Sequence, residues 1–94
     1  MNENLKRIDF SKRFEKQLKK APFGIKIAFK KRFQLFIKDP LNRQLRNHPL
    51  KGILLGDRSI NITGDWRAIY SEREEGNGKI ILFEMLGTHS QLYK

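Results

Sequence analysis

Two different spacings of hydrophobic residues occur in the first part of the chain, and each predicts a different element. Residues 5–10 alternate between apolar and polar side chains, which predicts a first β-strand. Residues 12–20 place Phe14 and Leu18 four positions apart, as on one face of a helix. Ser11 directly precedes this segment and is a favourable N-cap, so the first helix is expected to begin there.

A second helix is predicted over about residues 24–38, after a break at residues 21–24 (Ala-Pro-Phe-Gly). Its apolar residues recur at helical spacing and form one stripe: Ile25, Ala28, Phe29, Phe33, Phe36 and Ile37. Pro40 follows Asp39, and the residue before a proline disfavours the helical region, so the helix is expected to end there. The two helices form a hairpin whose apolar faces must cover another surface.

Residues 58–93 have the alternation of three short antiparallel strands. Two turn signals divide them, at residues 63–65 (Thr-Gly-Asp) and 76–78 (Gly-Asn-Gly), and both suit the positive φ angles of tight turns. The last strand, over residues 79–86, is apolar on both faces for much of its length. Such a strand is expected in a central rather than an edge position.

Residues 41–57 connect the helices to these strands and are predicted to be a loop or a short helical turn. Leu41, Leu45 and Leu50 are expected to anchor this segment in the core. The order of elements is then β-α-α-β-β-β. We therefore predict one α+β domain over residues 1–94, a helical hairpin packed on a small, mainly antiparallel sheet.

The charge of the chain is positive and unevenly distributed. The sequence has 20 Lys and Arg against 10 Asp and Glu, a net charge of +10. Residues 1–51 contain 15 of these basic residues and only 4 of the acidic ones. Such a field attracts polyanions, and both a nucleic acid and an acidic protein would satisfy it.

Other classes of protein are disfavoured by what the sequence lacks. No stretch approaches the roughly 20 apolar residues of a membrane helix. The N-terminus has no apolar signal-peptide core, so we expect a cytoplasmic protein without a membrane partner. The absence of cysteine excludes thiol catalysis and Cys-based metal sites, and two histidines are a thin basis for any other metal site. We expect no bound metal.

Three short motifs follow one another along the chain: His48-Pro49-Leu50-Lys51-Gly52, Gly64-Asp65-Trp66-Arg67-Ala68-Ile69-Tyr70 and Gly87-Thr88-His89-Ser90-Gln91-Leu92-Tyr93. In this order they resemble the RelE/ParE toxin superfamily, and most of all its YafQ-like branch. The resemblance implies a RelE-like fold and a toxin of a type II toxin–antitoxin pair, with an acidic cognate antitoxin as partner. It also implies a ribosome-dependent endoribonuclease that cuts mRNA and needs neither metal nor cofactor.

The catalytic set of the YafQ-like branch, carried over residue by residue, falls on five positions: His48, Asp65, Trp66, His89 and Tyr93. Two positions depart from the pattern of the branch. Its second histidine is Asn61 here, and its arginine two residues before the Gly-Thr-His triplet is Met85. Arg67 matches an arginine that RelE itself has in the strand after the turn, and this residue is expected to replace the missing positive charge.

Metal-free cleavage of RNA by its own 2′-OH requires a base for the hydroxyl, an acid for the departing 5′-oxygen and cations for the phosphorane. Histidine suits acid or base work because its unperturbed pKa lies near 6.5. We expect His89 to be the acid and either His48 or Asp65 to be the base. Arg67 and Arg58 are expected to hold the phosphate.

The remaining candidate residues are expected to bind RNA without reacting with it. An aromatic side chain can stack on an unpaired base, and basic side chains can pair with phosphates of the message or of ribosomal RNA. The candidates are Trp66, Tyr93, Lys51, Lys30, Lys31 and Arg32.

Two other functions compete with this hypothesis. One is a ParE-like toxin that poisons gyrase without cutting RNA, which the acid and base candidates His48, Asp65 and His89 disfavour. The other is a degenerate member of the family that binds RNA or ribosomes without cleavage. Asn61 and Met85 are the residues that favour this second alternative.

Overall fold

A computed structural model describes residues 5–93, which form one sheet with helices packed on it. The strands are β1 (Leu5–Phe10), β2 (His48–Pro49), β3 (Arg58–Asn61), β4 (Trp66–Glu75) and β5 (Gly78–Thr88). The helices are α1 (Lys12–Lys20), α2 (Phe23–Lys38) and α3 (His89–Leu92), and single 3-10 turns cover Arg43–Leu45 and Gly52–Leu54. The predicted α+β fold, a helical hairpin on a mainly antiparallel sheet, is confirmed.

The five strands lie in the order β1-β5-β4-β3-β2. β1 pairs with β5 in parallel, and the other three pairs are antiparallel. β5 therefore has a neighbour on both sides, which confirms its predicted interior position. β4 and β5 have 10 and 11 residues and are longer than the short strands expected.

The two predicted turns differ in backbone conformation. Gly76 has a φ of +61°, as expected for the tight turn between β4 and β5. Residues 63–65 include no positive φ, so the expectation for that turn was wrong. A side chain closes it instead, because the Trp66 N–H donates to the Thr63 hydroxyl over 3.2 Å.

Both long helices begin and end close to their predicted limits. The Ser11 hydroxyl accepts the Phe14 N–H at 3.0 Å and caps α1, and α2 ends before Pro40. Aromatic residues on the inner faces of the helices pack on the sheet, where Phe83 is completely buried. Its ring lies 5.4–6.0 Å from the rings of Phe14, Phe29 and Phe36. Ile37 departs from the predicted stripe, because 36% of it is exposed.

The connection between α2 and β3 contains structure that the sequence pattern did not predict. Leu45 and Leu50 are buried as expected, but Leu41 is 74% exposed and does not anchor the loop. β2 was not predicted at all, since it has two residues and forms only by pairing with β3. Within the described residues 5–93, no helix is long and apolar enough to span a membrane.

The sheet has a second face, turned away from α1 and α2. Along β4, Ala68 and Tyr70 belong to the main core, whereas Ile69 between them points the other way. Ile69 packs there with Leu50 and Met85 in a small apolar cluster. α3 lies beside this cluster and was also not predicted. Its single turn starts with a capping box in which Thr88 and Gln91 bond each other's backbone N–H groups.

Candidate active site

An open cleft of about 710 Å³ lies on the second face, between the loop that carries β2 and the short helix α3. Two histidines, His48 and His89, and two arginines, Arg46 and Arg67, line it. The remaining lining residues are Asn47, Leu50, Asn61 and Tyr93. Residues far apart in sequence thus bring imidazole, guanidinium, amide and phenol groups to one place.

Strand pairing fixes the floor of the cleft. Asn61 of β3 is the register partner of Arg67 of β4, and the two side chains point to the same face as Ile69. The Arg67 Nη1 donates to the carbonyl oxygens of Thr63 and Gly64 at 3.1 and 3.0 Å. These bonds hold the guanidinium at the turn, and its Nε and Nη2 make no hydrogen bond within residues 5–93. They are available to an anion in the cleft.

His48 is held by a backbone carbonyl. Its Nδ1 lies 2.8 Å from the oxygen of Arg46. A carbonyl can only accept, so this bond requires the proton on Nδ1 and leaves Nε2 as the basic nitrogen of the neutral ring. Arg46 has a φ of +47°, the only positive φ of a non-glycine residue in the described chain. This left-handed turn places its carbonyl under His48 and costs about 1–3 kcal/mol of backbone strain.

His89 is the first residue of α3 and is positioned from two directions. Its N–H donates to the carbonyl of Asp65 at 3.0 Å, which ties α3 to the turn before β4. Its ring lies 4.6 Å from the ring of Tyr93. The Tyr93 hydroxyl donates to the hydroxyl of Ser59 at 3.0 Å, and Ser59 is completely buried. Tyr93 therefore connects the histidine to the sheet while also lining the cleft.

A polar network behind the cleft holds the loop in front of His48. The Asn47 amide donates to the Tyr70 hydroxyl at 2.7 Å and to the Pro40 carbonyl at 2.9 Å. Its oxygen accepts from the Arg58 Nε at 2.8 Å. Burial raises the pKa of Tyr70, against the opposing effect of the hydrogen bond from Asn47. Arg58 is thus committed to this network and does not line the cleft.

Other residues singled out in the sequence lie outside the cleft. Asp65 is exposed, and its contribution is the carbonyl that holds His89. Trp66 precedes Arg67 on β4 and points to the opposite face, where it packs against the main core. Lys51 is exposed and follows Leu50, which lines the cleft.

The candidate ribosome-binding residues lie on α2, away from the cleft. Lys30 and Lys31 are exposed there. Arg32 instead donates to the backbone and side-chain oxygens of Gln44, at 3.3 and 3.1 Å. Arg32 therefore ties α2 to the following 3-10 turn.

The two departures from the YafQ pattern have different surroundings. Asn61 lines the cleft, so the neutral amide occupies the place of the expected second histidine. Met85 is only 9% exposed and packs with Leu50 and Ile69 beneath it. Arg46 also lines the cleft and is its second arginine. The sequence pattern did not predict this residue, although it lies only two positions before the first motif.

Comparisons with known proteins agree with this fold. Residues 6–94 match the sequence model of the family described as bacterial toxin of type II toxin–antitoxin system, YafQ. The crystal structure of YafQ from E. coli strain BL21(DE3) has a TM-score of 0.76 and 27% identity, covering 93% of this chain and 97% of that chain. YafQ in the E. coli DinJ–YafQ toxin–antitoxin complex gives a TM-score of 0.75 and 26% identity, covering 97% and 99%.

A third solved structure is more similar in sequence. The metal-bound toxin from Helicobacter pylori has 32% identity and a TM-score of 0.70, covering 93% of this chain and 98% of that chain. A search of curated protein sequences found no match. The match to the family model extends over nearly the whole chain, and the chain therefore belongs to the YafQ family of bacterial toxins of type II toxin–antitoxin systems.

Proposed function

We propose that this toxin is an endoribonuclease that cuts mRNA on the ribosome through attack of a 2′-OH on the adjacent phosphorus. The O2′–P bond forms as the P–O5′ bond breaks, leaving a 2′,3′-cyclic phosphate and a 5′-OH. A base accepts the proton of the 2′-OH, and an acid gives a proton to the 5′-oxygen. The bonds and protons balance without a further reactant.

The observation that supports this reaction best is the meeting of His48 and His89 in one cleft with two arginines. His89 is the proposed acid. His48 is the proposed base, since its Nε2 carries the lone pair and Asp65, the other candidate, does not line the cleft. Arg67 and Arg46 provide the positive charge that stabilises the phosphorane.

Tyr93 has two proposed roles in the same cleft. Its ring contacts His89 and holds the orientation of the imidazole. It is also the aromatic side chain of the cleft on which an unpaired base can stack, a contact worth about 1–3 kcal/mol. Arg58 is replaced by Arg46 as the second phosphate ligand, because Arg58 is bonded to Asn47 behind the cleft.

The proposed partner in the cell is an acidic antitoxin. A relative was solved as the E. coli DinJ–YafQ toxin–antitoxin complex, and the net charge of +10 favours an acidic ligand here. A groove of about 540 Å³ between α1 and α2 suits an amphipathic acidic segment. Phe10, Phe29 and Phe33 line it, with three lysines and one carboxylate around them: Lys19, Lys26, Lys30 and Glu15. Co-expression with the neighbouring reading frame should yield a complex, and isolation of the toxin alone would contradict this partner.

The reaction is tested by incubating the protein with ribosomes that translate a defined mRNA and analysing the new 3′ ends. We expect cleavage inside the ribosome-bound message, with 2′,3′-cyclic phosphate ends. Addition of EDTA to the isolated cleavage step, with magnesium replaced by polyamine to preserve ribosomes, should leave the rate unchanged. Fragments with 3′-OH ends would contradict attack by the 2′-OH.

A second function is favoured by Asn61 and Met85, which remove a histidine and a cation from the family pattern. A toxin weakened in this way would bind ribosomes and block translation without cutting. The same experiment separates the two functions, because an intact message with stalled ribosomes would support binding alone. Inhibition of gyrase in a supercoiling assay would instead support the ParE-like alternative.

A further inference from the structure

A second pocket lies on the other side of α3, and neither the catalytic proposal nor the fold accounts for it. Its volume is about 340 Å³, within the range of ligand-binding pockets. Trp66 forms part of its wall, with Arg13 and Lys20 of α1 beside it. We call it the Trp66 pocket. It shares no lining residue with the catalytic cleft.

The chemistry of the Trp66 pocket combines an aromatic side chain, two cations and two amides. Arg13 and Lys20 are exposed and make no ion pair within residues 5–93. Gln17 and Gln91 complete the polar wall, and each uses its oxygen to accept a backbone N–H, at 2.7 and 2.9 Å. Their NH₂ groups have no acceptor in the described chain, so they are free to donate to a ligand.

The position of the pocket relates it to the substrate path. His89 of α3 and Tyr93, which caps its end, line the catalytic cleft, whereas Gln91 and Leu92 of α3 line the Trp66 pocket. The two sites are thus separated by one helix, whose diameter with side chains is about 10–12 Å. The cleft opens on the second face of the sheet and the pocket on the face that carries α1, so a single strand that joins them passes over α3 at the end of the sheet.

From these observations we propose that the Trp66 pocket binds a nucleotide of the RNA strand that crosses α3. The base stacks on Trp66 and the adjoining phosphate pairs with Arg13 and Lys20. A nucleotide uses all three groups at once, since its base stacks on the ring and accepts from the amides while its phosphate pairs with the cations, so the combination favours RNA. The inference rests on the proposed function, in that it assigns a further contact to the same substrate.

Trp66 is the only tryptophan of the chain, so its fluorescence reports the stack directly. The probe is a short single-stranded oligonucleotide with 2′-O-methyl groups, which lacks the attacking hydroxyl and is not cleaved. We expect saturable quenching with this probe. Polyglutamate, a polyanion without bases, should bind without quenching, and equal quenching by it would overturn the proposal.

Charge variants on α1 locate the phosphate-binding side chains. Arg13→Ala/Lys20→Ala should weaken binding of the oligonucleotide and make its salt dependence shallower, by a slope of about 0.7 for each phosphate that the variant leaves unpaired. Lys12→Ala/Lys16→Ala is the matched control, since it removes the same charge from exposed positions of the same helix outside the pocket. Equal effects of the two double variants would mean that α1 acts only as a diffuse positive field, and would overturn the proposal.

The stacking residue is tested by Trp66→Leu, with folding checked by circular dichroism because Trp66 also packs on the core. We expect a loss of affinity of about 5- to 150-fold, while kcat at saturating substrate changes little. If Trp66→Leu does not fold, the α1 variants carry the test alone.

A wild-type protein that cleaves mRNA without quenching overturns the pocket and leaves the proposed function intact. A wild-type protein that shows quenching but does not cleave mRNA would support the pocket and overturn the proposed function.

Discussion

At the scale of single residues, the two histidine rings are held in different ways, His48 by a backbone carbonyl and His89 by the ring of Tyr93. The carbonyl of Arg46 fixes the proton of His48 on Nδ1 and leaves the lone pair on Nε2, as the proposed base requires. His89 has no such bond to its ring within the described residues, and its orientation depends on the neighbouring Tyr93 ring. Neither ring nitrogen of His89 is therefore occupied by a hydrogen bond within residues 5–93, so both can face a substrate in the cleft.

Glu84, on the second face of the sheet, should make the stability of the protein depend on pH. Glu84 is the extra residue of a bulge in β5, because Ile69 pairs with Met85 and Tyr70 with Phe83. Burial, and next the carboxylate of Asp57, raises the pKa of Glu84. The folded protein therefore holds this proton more tightly than the unfolded chain. The resulting stabilisation is present below the ordinary pKa of glutamate and is lost as the pH rises through the raised value.

Glu84→Gln should for this reason increase the free energy of unfolding at about pH 7 and change it less at about pH 4, where wild-type Glu84 is also largely neutral. Urea denaturation at the two pH values measures the difference. Glu74→Gln is the control, since Glu74 is exposed on the neighbouring strand. An equal effect of Glu84→Gln at both pH values would show that folding does not disfavour the charged form of Glu84.

Single residues also show where a sequence motif is insufficient to predict a site. Trp66 and Arg67 are adjacent in the matched motif, yet strand alternation sends them to opposite faces, and only Arg67 reaches the cleft. The alternation of side chains along a strand could be read from the sequence, and it would have placed these two residues on opposite faces. The left-handed conformation of Arg46 was not predictable, because only the packed loop imposes it on a non-glycine residue.

At the scale of elements, the loop between α2 and β3 determines the shape of the cleft. It carries two 3-10 turns and β2, and few of its residues are buried. The loop therefore has little apolar contact with the rest of the fold, and hydrogen bonds between the Asn47 side chain and Tyr70, Pro40 and Arg58 hold it instead. The position of His48 therefore depends on a side chain that does not react.

Asn47→Ala should lower the free energy of unfolding by about 1–3 kcal/mol, because it leaves the Arg58 Nε and the Tyr70 hydroxyl without this partner. It should also slow cleavage by releasing the loop that holds His48. Urea denaturation and the mRNA cleavage assay measure the two effects. Gln34→Ala, at an exposed position of α2, is the control. A variant with unchanged stability and rate would show that the network has no positioning role.

Local signals explain which elements were predictable. Ser11 caps α1, Pro40 prevents α2 from continuing, and the apolar faces of β5 indicate its interior place. β2 lacks any local signal, since it consists of two residues and includes a proline. α3 is equally short, although the Thr-x-x-Gln spacing at residues 88–91 was a usable capping signal.

At the scale of the whole molecule, the lysine-rich helices α1 and α2 and the cleft lie in different parts of one fold. The lysine-rich helices pack on one face of the sheet, whereas the cleft opens on the other. The proposed cleavage chemistry and the proposed ribosome docking can therefore be altered separately. The sequence predicted the charge asymmetry in full, but not which face each function would occupy.

Lys30→Glu/Lys31→Glu should weaken ribosome binding and reduce its dependence on salt, because both side chains are exposed and available to phosphates. Arg32 is left unchanged, since it bonds Gln44 within the fold. Lys30→Arg/Lys31→Arg keeps the charge and is the control. Co-sedimentation with ribosomes over a range of salt concentrations measures the effect. Identical binding curves for the wild type and Lys30→Glu/Lys31→Glu would contradict the proposed docking role.

The central claim, that the cleft cuts RNA with His89 as the acid, is tested most directly by single-turnover cleavage of ribosome-bound mRNA. His89→Ala should lose about 10²–10⁴-fold in rate while folding and ribosome affinity stay near wild type. His89→Gln keeps a hydrogen-bond donor but cannot deliver the proton, so it should be about as slow as the alanine variant. Recovery of most of the rate by glutamine would make His89 a positioning residue, and wild-type rates in both variants would contradict any catalytic role for it.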